Sequence, residues 1–439
     1  MSNSHGRSPR GLAGLIVVAV CLRIGLMVVD GARLDSDPDG YVRLGSMLAG
    51  GKGYVAADGQ TPTAFRPVLY PLLLAGPMAA GASAKFAVVL LNLMATVFLV
   101  LAVNSLSRLL GLSPLGTAIA CMAAALDPLL LRYSTEPMTE NVSAALLTAS
   151  LCLVLRFVAC ANASPEQNPA PLAVKAGVLL GLSALCRPVA LVTCMLLPIP
   201  LFLLMRSLRT TLGTRRWLIA AFLPSVIAAV ITLPWIARNG LQFGGLVPAT
   251  THGGYTLLLA NNSVFYDRVV AGNQTHWDGT SLTAWQHDLH RQQHEDGILP
   301  ADERASDRWM YDRAFEEIRR HPEAFRQSIL LRWQRFWATA PVAAREQISP
   351  AILWAVRSWY WVGAAGLFLS VPALRRRPDL WLLWTAVASF LLVHSFYWTN
   401  TRMRAPLTGL LIALAVVGWS RIFPKLANAP AQTPESSVP

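Results

Sequence analysis

The chemistry of this sequence concentrates between Asp30 and Pro71, DGARLDSDPDGYVRLGSMLAGGKGYVAADGQTPTAFRPVLYP, where Asp30, Asp35, Asp37 and Asp39 precede a glycine cluster and Arg66-Pro67. A carboxylate held within hydrogen-bond reach of a hydroxyl is a general base, and a guanidinium fork grips phosphate. Asp37 precedes Pro38, and Tyr41, Leu44 and Leu48 follow at helical spacing. This spacing predicts a short interfacial helix with Asp37 as N-cap and Pro38 at its first position. Capping alone explains Asp37; the same placement sets a carboxylate beside a helix N-terminus, where a ligand phosphate also binds. Asp39 is the rival acid, and a favourable interaction with the helix dipole explains it equally well.

Arg66 lies in TAFRPVLYPLLLAGP, a run too short and too rich in proline for a span. It either snorkels to headgroups or grips a phosphate at the bilayer surface. Arg187, Arg238, Arg402 and Arg404 each stand at the end of an apolar run. Glu136 and Glu140, in YSTEPMTENV, have capping and dipole explanations, but an acid inside a membrane is costly and marks a functional site by default. Arg23 and Asp127 carry the same two readings. His287, His290 and His294 share a helical face that invites a metal; their polar neighbours Gln286, Asp288, Arg291, Gln292, Gln293 and Glu295 favour a solvated helix instead. The six cysteines lie in or beside apolar runs without a CxxC pair, so neither a disulfide framework nor a zinc site is implied.

The elements that position these residues follow from composition. With 439 residues, 54% of them apolar and 14% charged, the chain is a polytopic membrane protein. A net charge of +13 suggests nucleic acid, but the arginines cluster in short links between apolar runs, as cytoplasmic loops do. The basicity therefore reads as topology, anionic-lipid contact and an anionic ligand, with no nucleic acid. A bilayer takes about 20 helical residues to cross, and ten runs fit: 12–30, 84–107, 115–132, 139–160, 172–186, 188–206, 216–235, 350–371, 379–397 and 405–423. The first follows a basic tail like a signal peptide, but it is too long and lacks a small-residue cleavage site; it reads as a retained helix.

A cytoplasmic N-terminus puts Arg108, the run Arg206 to Arg216, Arg375 to Arg377, Arg421 and Lys425 inside, in accord with the positive-inside rule. The expected organisation is all-α: a membrane module at 1–235 with the catalytic first outer loop at 30–83, an outer segment at 236–349, membrane helices at 350–423 and a disordered cytoplasmic tail at 424–439. The outer segment opens on GLQFGGLVPATTHGGYTLLLANN, which reads as loop or short strands, and continues from Glu303 to Trp337 as amphipathic helices broken near His321-Pro322. No internal repeat of the kind found in many transporters is visible.

In order along the chain stand D-x-x-x-Y ending at Tyr41, G-x-G-Y ending at Tyr54, R-P-x-x-Y-P from Arg66, T-E at Thr139-Glu140, G-L-x-x-L-x-R-P ending at Arg187-Pro188, P-W-x-x-R-N from Pro234 and R-x-R-x-P from Arg402. This ordered set resembles the C-type glycosyltransferase superfamily, and within it the polyprenyl-phosphate-sugar-dependent enzymes such as protein O-mannosyltransferases and the aminoarabinose transferases of lipid A. The resemblance implies an integral protein of the plasma (inner) membrane, with both termini cytoplasmic and the active site on the outer face. It implies inverting transfer from a polyprenyl-phosphate sugar donor to a hydroxyl on a glycan, lipid or protein. The aspartate aligned on Tyr41 is Asp37, with Asp39 the other catalytic candidate, and the implied substrate-binding set is Tyr41, Arg66, Tyr70, Glu140, Arg187, Arg238, Arg402 and Arg404. Members of the group resembled need no cofactor, while a divalent metal serves others in the superfamily. The alternative from another class is a transporter or flippase of a lipid-linked glycan.

Overall fold

The structure, a computed structural model, describes residues 9–163, 168–205, 214–272, 277, 279–299, 302–340 and 349–428. Among these residues no strand forms; two isolated bridges join Val55 to Pro62 and Leu112 to Ala427. The helices are α1 (Pro9–Val29), α2 (Tyr41–Ala49), α3 (Leu69–Ala79), α4 (Ala84–Leu109), α5 (Pro114–Leu126), α6 (Pro128–Ser134), α7 (Glu140–Ala163), α8 (Ala170–Cys186), α9 (Ala190–Leu196), α10 (Pro198–Leu204) and α11 (Thr214–Phe243). After them come α12 (Gly253–Ala260), α13 (Gly279–Glu295), α14 (Glu303–Arg320), α15 (Pro322–Phe336), α16 (Pro350–Ser370), α17 (Leu380–His394) and α18 (Thr408–Trp419).

Six described helices are long and apolar enough to cross a membrane: α1, α4, α7, α11, α16, and α18 with the turn before it. The pair α5–α6, bent by 43°, makes a seventh if it counts as one span. The other expected runs, 172–186, 188–206 and 379–397, contain shorter apolar helices. The bend has a local cause. Pro128 supplies no N–H and holds Asp127 out of the helical region, at φ −57° and ψ 121°, so α5 stops there. The Asp127 carboxylate then caps α6, accepting from the Leu129 and Leu130 amides. Arg23 of α1, wholly buried, donates to the Ala125 carbonyl at the end of α5.

Leu99 of α4, Leu151 of α7 and Leu410 and Leu414 of α18 are buried in the main core. Beside it α8 packs on α11 through Gly177 and Gly181, one helical turn apart. A β-carbon on Gly181 would lie 2.6 Å from Ile231 Cβ and 2.9 Å from the Ala228 carbonyl oxygen.

Two sequence expectations need correction. Residues 253–260 are neither loop nor strand but helix α12, whose glycines admit α14: a β-carbon on Gly253 would overlap the Tyr311 hydroxyl, and one on Gly254 the Asp307 carbonyl. The expected break between α14 and α15 does fall at His321-Pro322. The tail is ordered at its start, where Pro424–Leu426 forms a turn that docks on the corner after α4, Leu426 accepting from the Ser113 amide and Gly111 from the Asn428 amide. Residues 429–439 lie outside the described residues.

Gly181→Leu is expected to cost about 1–3 kcal/mol or more through overpacking between α8 and α11. Thermal unfolding in detergent checks this; an unchanged midpoint would contradict the close approach.

Candidate functional site

The segment between α1 and α3 folds back over one end of the bundle. Its helix α2 starts at Tyr41, later than expected, because Gly40 takes a left-handed conformation at φ 73° and is the N-cap residue. Asp37 is therefore not the N-cap, and Pro38 is outside the helix. The Asp37 carboxylate nonetheless satisfies the helix start from a distance: Oδ1 accepts from the Val42 amide at 3.0 Å and Oδ2 from the Arg43 amide at 2.9 Å. Each oxygen keeps a further acceptor site.

Asp39 faces differently. Its Oδ1 accepts from Arg66 Nη2 at 2.9 Å and its Oδ2 from Arg402 Nη2 at 2.7 Å, while its carbonyl accepts from Arg66 Nε. Burial opposes its ionisation, but Arg402 and Arg66 outweigh that and hold the carboxyl below the usual carboxylate range. Arg402 also donates through Nε to Glu140 Oε1, which accepts from Arg187 Nη2 at 2.7 Å. Arg187 Nε donates to Thr139 Oγ1, the other half of the T-E pair.

The result is a row of alternating charges, Arg187, Glu140, Arg402, Asp39 and Arg66, three guanidiniums against two carboxylates. One positive charge is left over. Each arginine uses Nε and Nη2 and, among the described residues, makes no hydrogen bond through Nη1. The three side chains are 12–19% exposed, whereas Glu140 is 0% exposed and out of reach of any ligand. Glu140 accepts from both Arg187 and Arg402 and so ties the two arginines together.

Elements far apart in sequence deliver these residues. Arg187 is extended between α8 and α9, where Pro188 follows and α8 must end. Arg402 leaves the turn Thr401–Leu407 before α18, and Glu140 opens α7. Tyr41 and Tyr70 meet edge to face at 5.2 Å behind the row, under the Arg66 guanidinium. Burial, and then Asp39, push the Tyr41 hydroxyl up to about 12. Tyr70 is completely buried, and its hydroxyl has no hydrogen-bond partner among the described residues.

Arg238 and Arg404 do not join the row. Arg238 donates to the carbonyls of Thr63 and Tyr54 and lies over Trp235, stitching the first loop to α11. Arg404 donates to the carbonyls of Phe336 and Ala338 and lies 4.2 Å over the Tyr360 ring. Residues that the sequence does not single out as site candidates also shape the site. Glu303 at the start of α14 accepts from Thr63 Oγ1, the Ala64 amide and Thr251 Oγ1, fastening the long segment to the loop that carries Arg66. His252 sits between Phe65, at 4.2 Å, and Tyr255, at 5.2 Å; burial, then Arg66, lower its pKa to about 3 and keep it neutral. An acid at a helix start and a histidine beside two glycines have ordinary local explanations, so only the tertiary contacts single them out.

Among the described residues no group of three or more His, Cys, Asp or Glu side chains could hold a metal ion. The histidines of α13 lie on a helix whose Asp288 and Glu295 pair with Arg291 instead.

No family model and no curated protein matches the sequence. Solved structures do match. The Archaeoglobus fulgidus oligosaccharyltransferase AglB, in complex with an inhibitory peptide and a dolichol-phosphate, aligns over 94% of this chain and 50% of its own at 14% identity and a TM-score of 0.56. The oligosaccharyltransferase of the same organism in complex with Zn and sulfate aligns over 94% and 49% at 16% identity and 0.53. ArnT from Cupriavidus metallidurans bound to undecaprenyl phosphate aligns over 93% and 78% at 15% identity and 0.42. The chain spans about half the length of the oligosaccharyltransferases it matches. At these identities the likeness to the oligosaccharyltransferases shows a shared fold.

Two outcomes follow from the geometry. Glu140→Gln leaves Arg187 and Arg402 short of a buried countercharge and is expected to cost about 3–5 kcal/mol of stability, measured by thermal or denaturant unfolding. Asp307, which accepts from the Gly254 amide, is raised from 3.8 to about 6 by burial, with Glu303 adding to it. A raised acid binds more protons folded than unfolded, so its contribution is full below pH 3.8 and is lost as pH rises through 6. Asp307→Asn keeps an acceptor for Gly254 and should raise the unfolding midpoint at pH 8, the gain vanishing towards pH 4.

Proposed function

We propose that this chain is an integral-membrane glycosyltransferase that moves a sugar from a polyprenyl-phosphate carrier to an acceptor hydroxyl, with inversion, at the outer face of the membrane. The single observation that carries the reading is the row of three arginines with one unmatched charge and three unused Nη1 groups, set at the same end of the bundle as Asp37. Such a row suits a leaving phosphate, because donors already in place stabilise charge as it develops.

In the proposed reaction the acceptor hydroxyl donates to Asp37. As its oxygen attacks the anomeric carbon, the proton passes to the carboxylate and the bond from that carbon to the phosphate oxygen breaks, the electron pair leaving with the phosphate. Nη1 groups of Arg66, Arg187 and Arg402 receive the phosphate oxygens. One displacement inverts the anomeric centre, by analogy with one-step glycosidases. Asp37 is the better base: among the described residues its oxygens accept only backbone amides, whereas both Asp39 oxygens are held by guanidiniums that lower its basicity. Asp39 in this scheme aims Arg66 and Arg402. The arginine row takes the place that a divalent cation fills in other phosphate sites, so no metal enters the scheme.

The accompanying topology has ten spans, with both termini cytoplasmic in the plasma membrane and with α12 to α15 lying outside. The acceptor is a glycan, lipid or protein hydroxyl.

Reconstituted protein supplied with a panel of polyprenyl-phosphate sugars and membrane acceptors tests the reading. Asp37→Asn is expected to lower kcat at least a hundredfold, about 2.7 kcal/mol of barrier, with little change in donor KM. Asp39→Asn should instead raise donor KM, and EDTA should leave the rate unchanged. Full turnover in Asp37→Asn would remove the assigned base, and movement of the donor across the membrane without sugar transfer would make the protein a transporter.

A further inference from the structure

Residues 248–255, PATTHGGY, lie against the loop that carries Arg66 but take no part in the ion-pair row. Their place is set by backbone. The Thr251 amide donates to the Ala64 carbonyl at 3.0 Å, while Glu303 accepts from the Ala64 amide and from Thr251 Oγ1. Pairing Thr251 with Ala64 sets the next residues, His252 and Phe65, side by side, and their rings meet at 4.2 Å. His252 also stacks on Tyr255 at 5.2 Å, with 24° between the planes. Tyr255 is held in turn by Gln286, which donates to its hydroxyl at 2.7 Å.

The nitrogens of His252 are not used in that packing. Nδ1 is buried and has no hydrogen-bond partner among the described residues. His252 is the N-cap residue of α12, yet its side chain makes no capping bond. A buried N–H without an acceptor is costlier than a bare lone pair, so the proton of the neutral ring belongs on Nε2. Burial and Arg66 keep the ring neutral. A neutral imidazole suits a hydroxyl and leaves anions to Arg66. Phe65 adds apolar surface: its ring is 41% exposed, although the Arg66 guanidinium lies over it at 5.1 Å. Exposed aromatic carbon beside a neutral donor fits the C–H groups and hydroxyls of a sugar ring, whereas a phosphate or an alkyl chain matches only one of the two.

Phe65 and Arg66 are consecutive and in contact, so a group resting on Phe65 adjoins whatever Arg66 holds. In the reaction proposed above that is the donor phosphate, and the group joined to the phosphate is the sugar. We propose that Phe65 and His252 form the subsite of the transferred sugar, a neutral hydroxylated ring that packs on Phe65 and accepts a hydrogen bond from His252 Nε2 at one hydroxyl. The identity of the ligand as a donor sugar rests on the glycosyltransferase reading.

Equilibrium binding to the full-length protein in detergent tests this, with polyprenyl-phosphate glucose, galactose and mannose as probes and polyprenyl monophosphate as the sugar-free control. His252→Phe keeps an aromatic ring beside Phe65 and Tyr255 and removes both nitrogens. It is expected to weaken the tightest-binding sugar lipid about tenfold and to leave polyprenyl monophosphate unchanged, which also shows that the variant folds. Monodeoxy versions of that sugar locate the bond: one of them should bind wild type and His252→Phe equally. Phe65→Ala should weaken the sugar lipid as well, and Phe65→Tyr should not. Equal loss of sugar lipid and control in His252→Phe, no loss of either, or the same loss for every deoxy sugar would overturn the subsite. So would a wild-type protein that binds no sugar lipid better than the control. Sugar-selective binding through His252 in a protein that transfers no sugar would keep the subsite and remove the enzyme. Transfer with the His252→Phe effect confined to acceptor KM would keep the enzyme and overturn the donor subsite, assigning the ring to the acceptor.

Discussion

Arg402 is the residue on which the site depends. Its guanidinium joins Glu140 at the head of α7 to Asp39 in the loop between α1 and α3, and its own turn leads into α18. One side chain thus fixes three parts of the chain that are distant in sequence. Ion pairs taken out of water gain little net stability, because desolvation offsets most of the attraction. What a shared arrangement supplies is position. With carboxylates on the Nε and Nη2 edges of Arg187, Arg402 and Arg66, the remaining Nη1 groups are left available. A fixed donor set of this kind needs no rearrangement when charge develops on a ligand.

The loop carrying Asp37 and Arg66 has little core of its own, and its position is imposed from outside. Tyr54 donates to the carbonyls of Arg66 and Pro67, Arg238 donates back to the Tyr54 and Thr63 carbonyls, and Glu303 takes up the polar groups of Thr63 and Ala64. The glycines of α12 serve the same end by letting α14 approach. Supporting contacts that lock the partners of functional side chains are what precise geometry requires. Backbone carbonyls in an irregular loop are costly to bury unpaired, so the two arginine-to-carbonyl contacts have a structural purpose that is independent of any ligand.

This division explains which features are legible in the sequence. Apolar runs interrupted by prolines report α4, α7 and the α8–α9 break directly, and the arginines and acids next to those prolines mark one end of the bundle. Arg66, Arg187, Arg402 and Glu140 are found that way. The sequence does not say which groups each will face. Arg238 and Arg404 have the same local setting as Arg402, yet they meet carbonyls, because their partners come from loops whose path depends on tertiary packing. The start of α2 is misplaced for a different reason: Asp37-Pro38 has the form of a cap, but Gly40, the residue able to turn left-handed, comes later. In GGYTLLLA the glycines mimic a loop signal, although they are there to let another helix in.

The two aspartates show how a spacing of two residues separates two roles. Asp37 stands ahead of the left-handed Gly40 and receives amides from the first turn of α2, so its direction is set by backbone and persists whatever the arginines do. Asp39 lies between two guanidiniums, and its charge is what orients them. A carboxylate whose oxygens are held by cations loses basicity, while one oriented by backbone amides retains acceptor capacity for a hydroxyl. In the proposed reaction the base and the phosphate donors therefore have separate supports, and a proton taken up at Asp37 does not disturb the ion pairs that hold Arg66 and Arg402. Capping and catalysis are compatible at Asp37 for that reason: the contacts that fix the helix start are also those that aim the carboxylate.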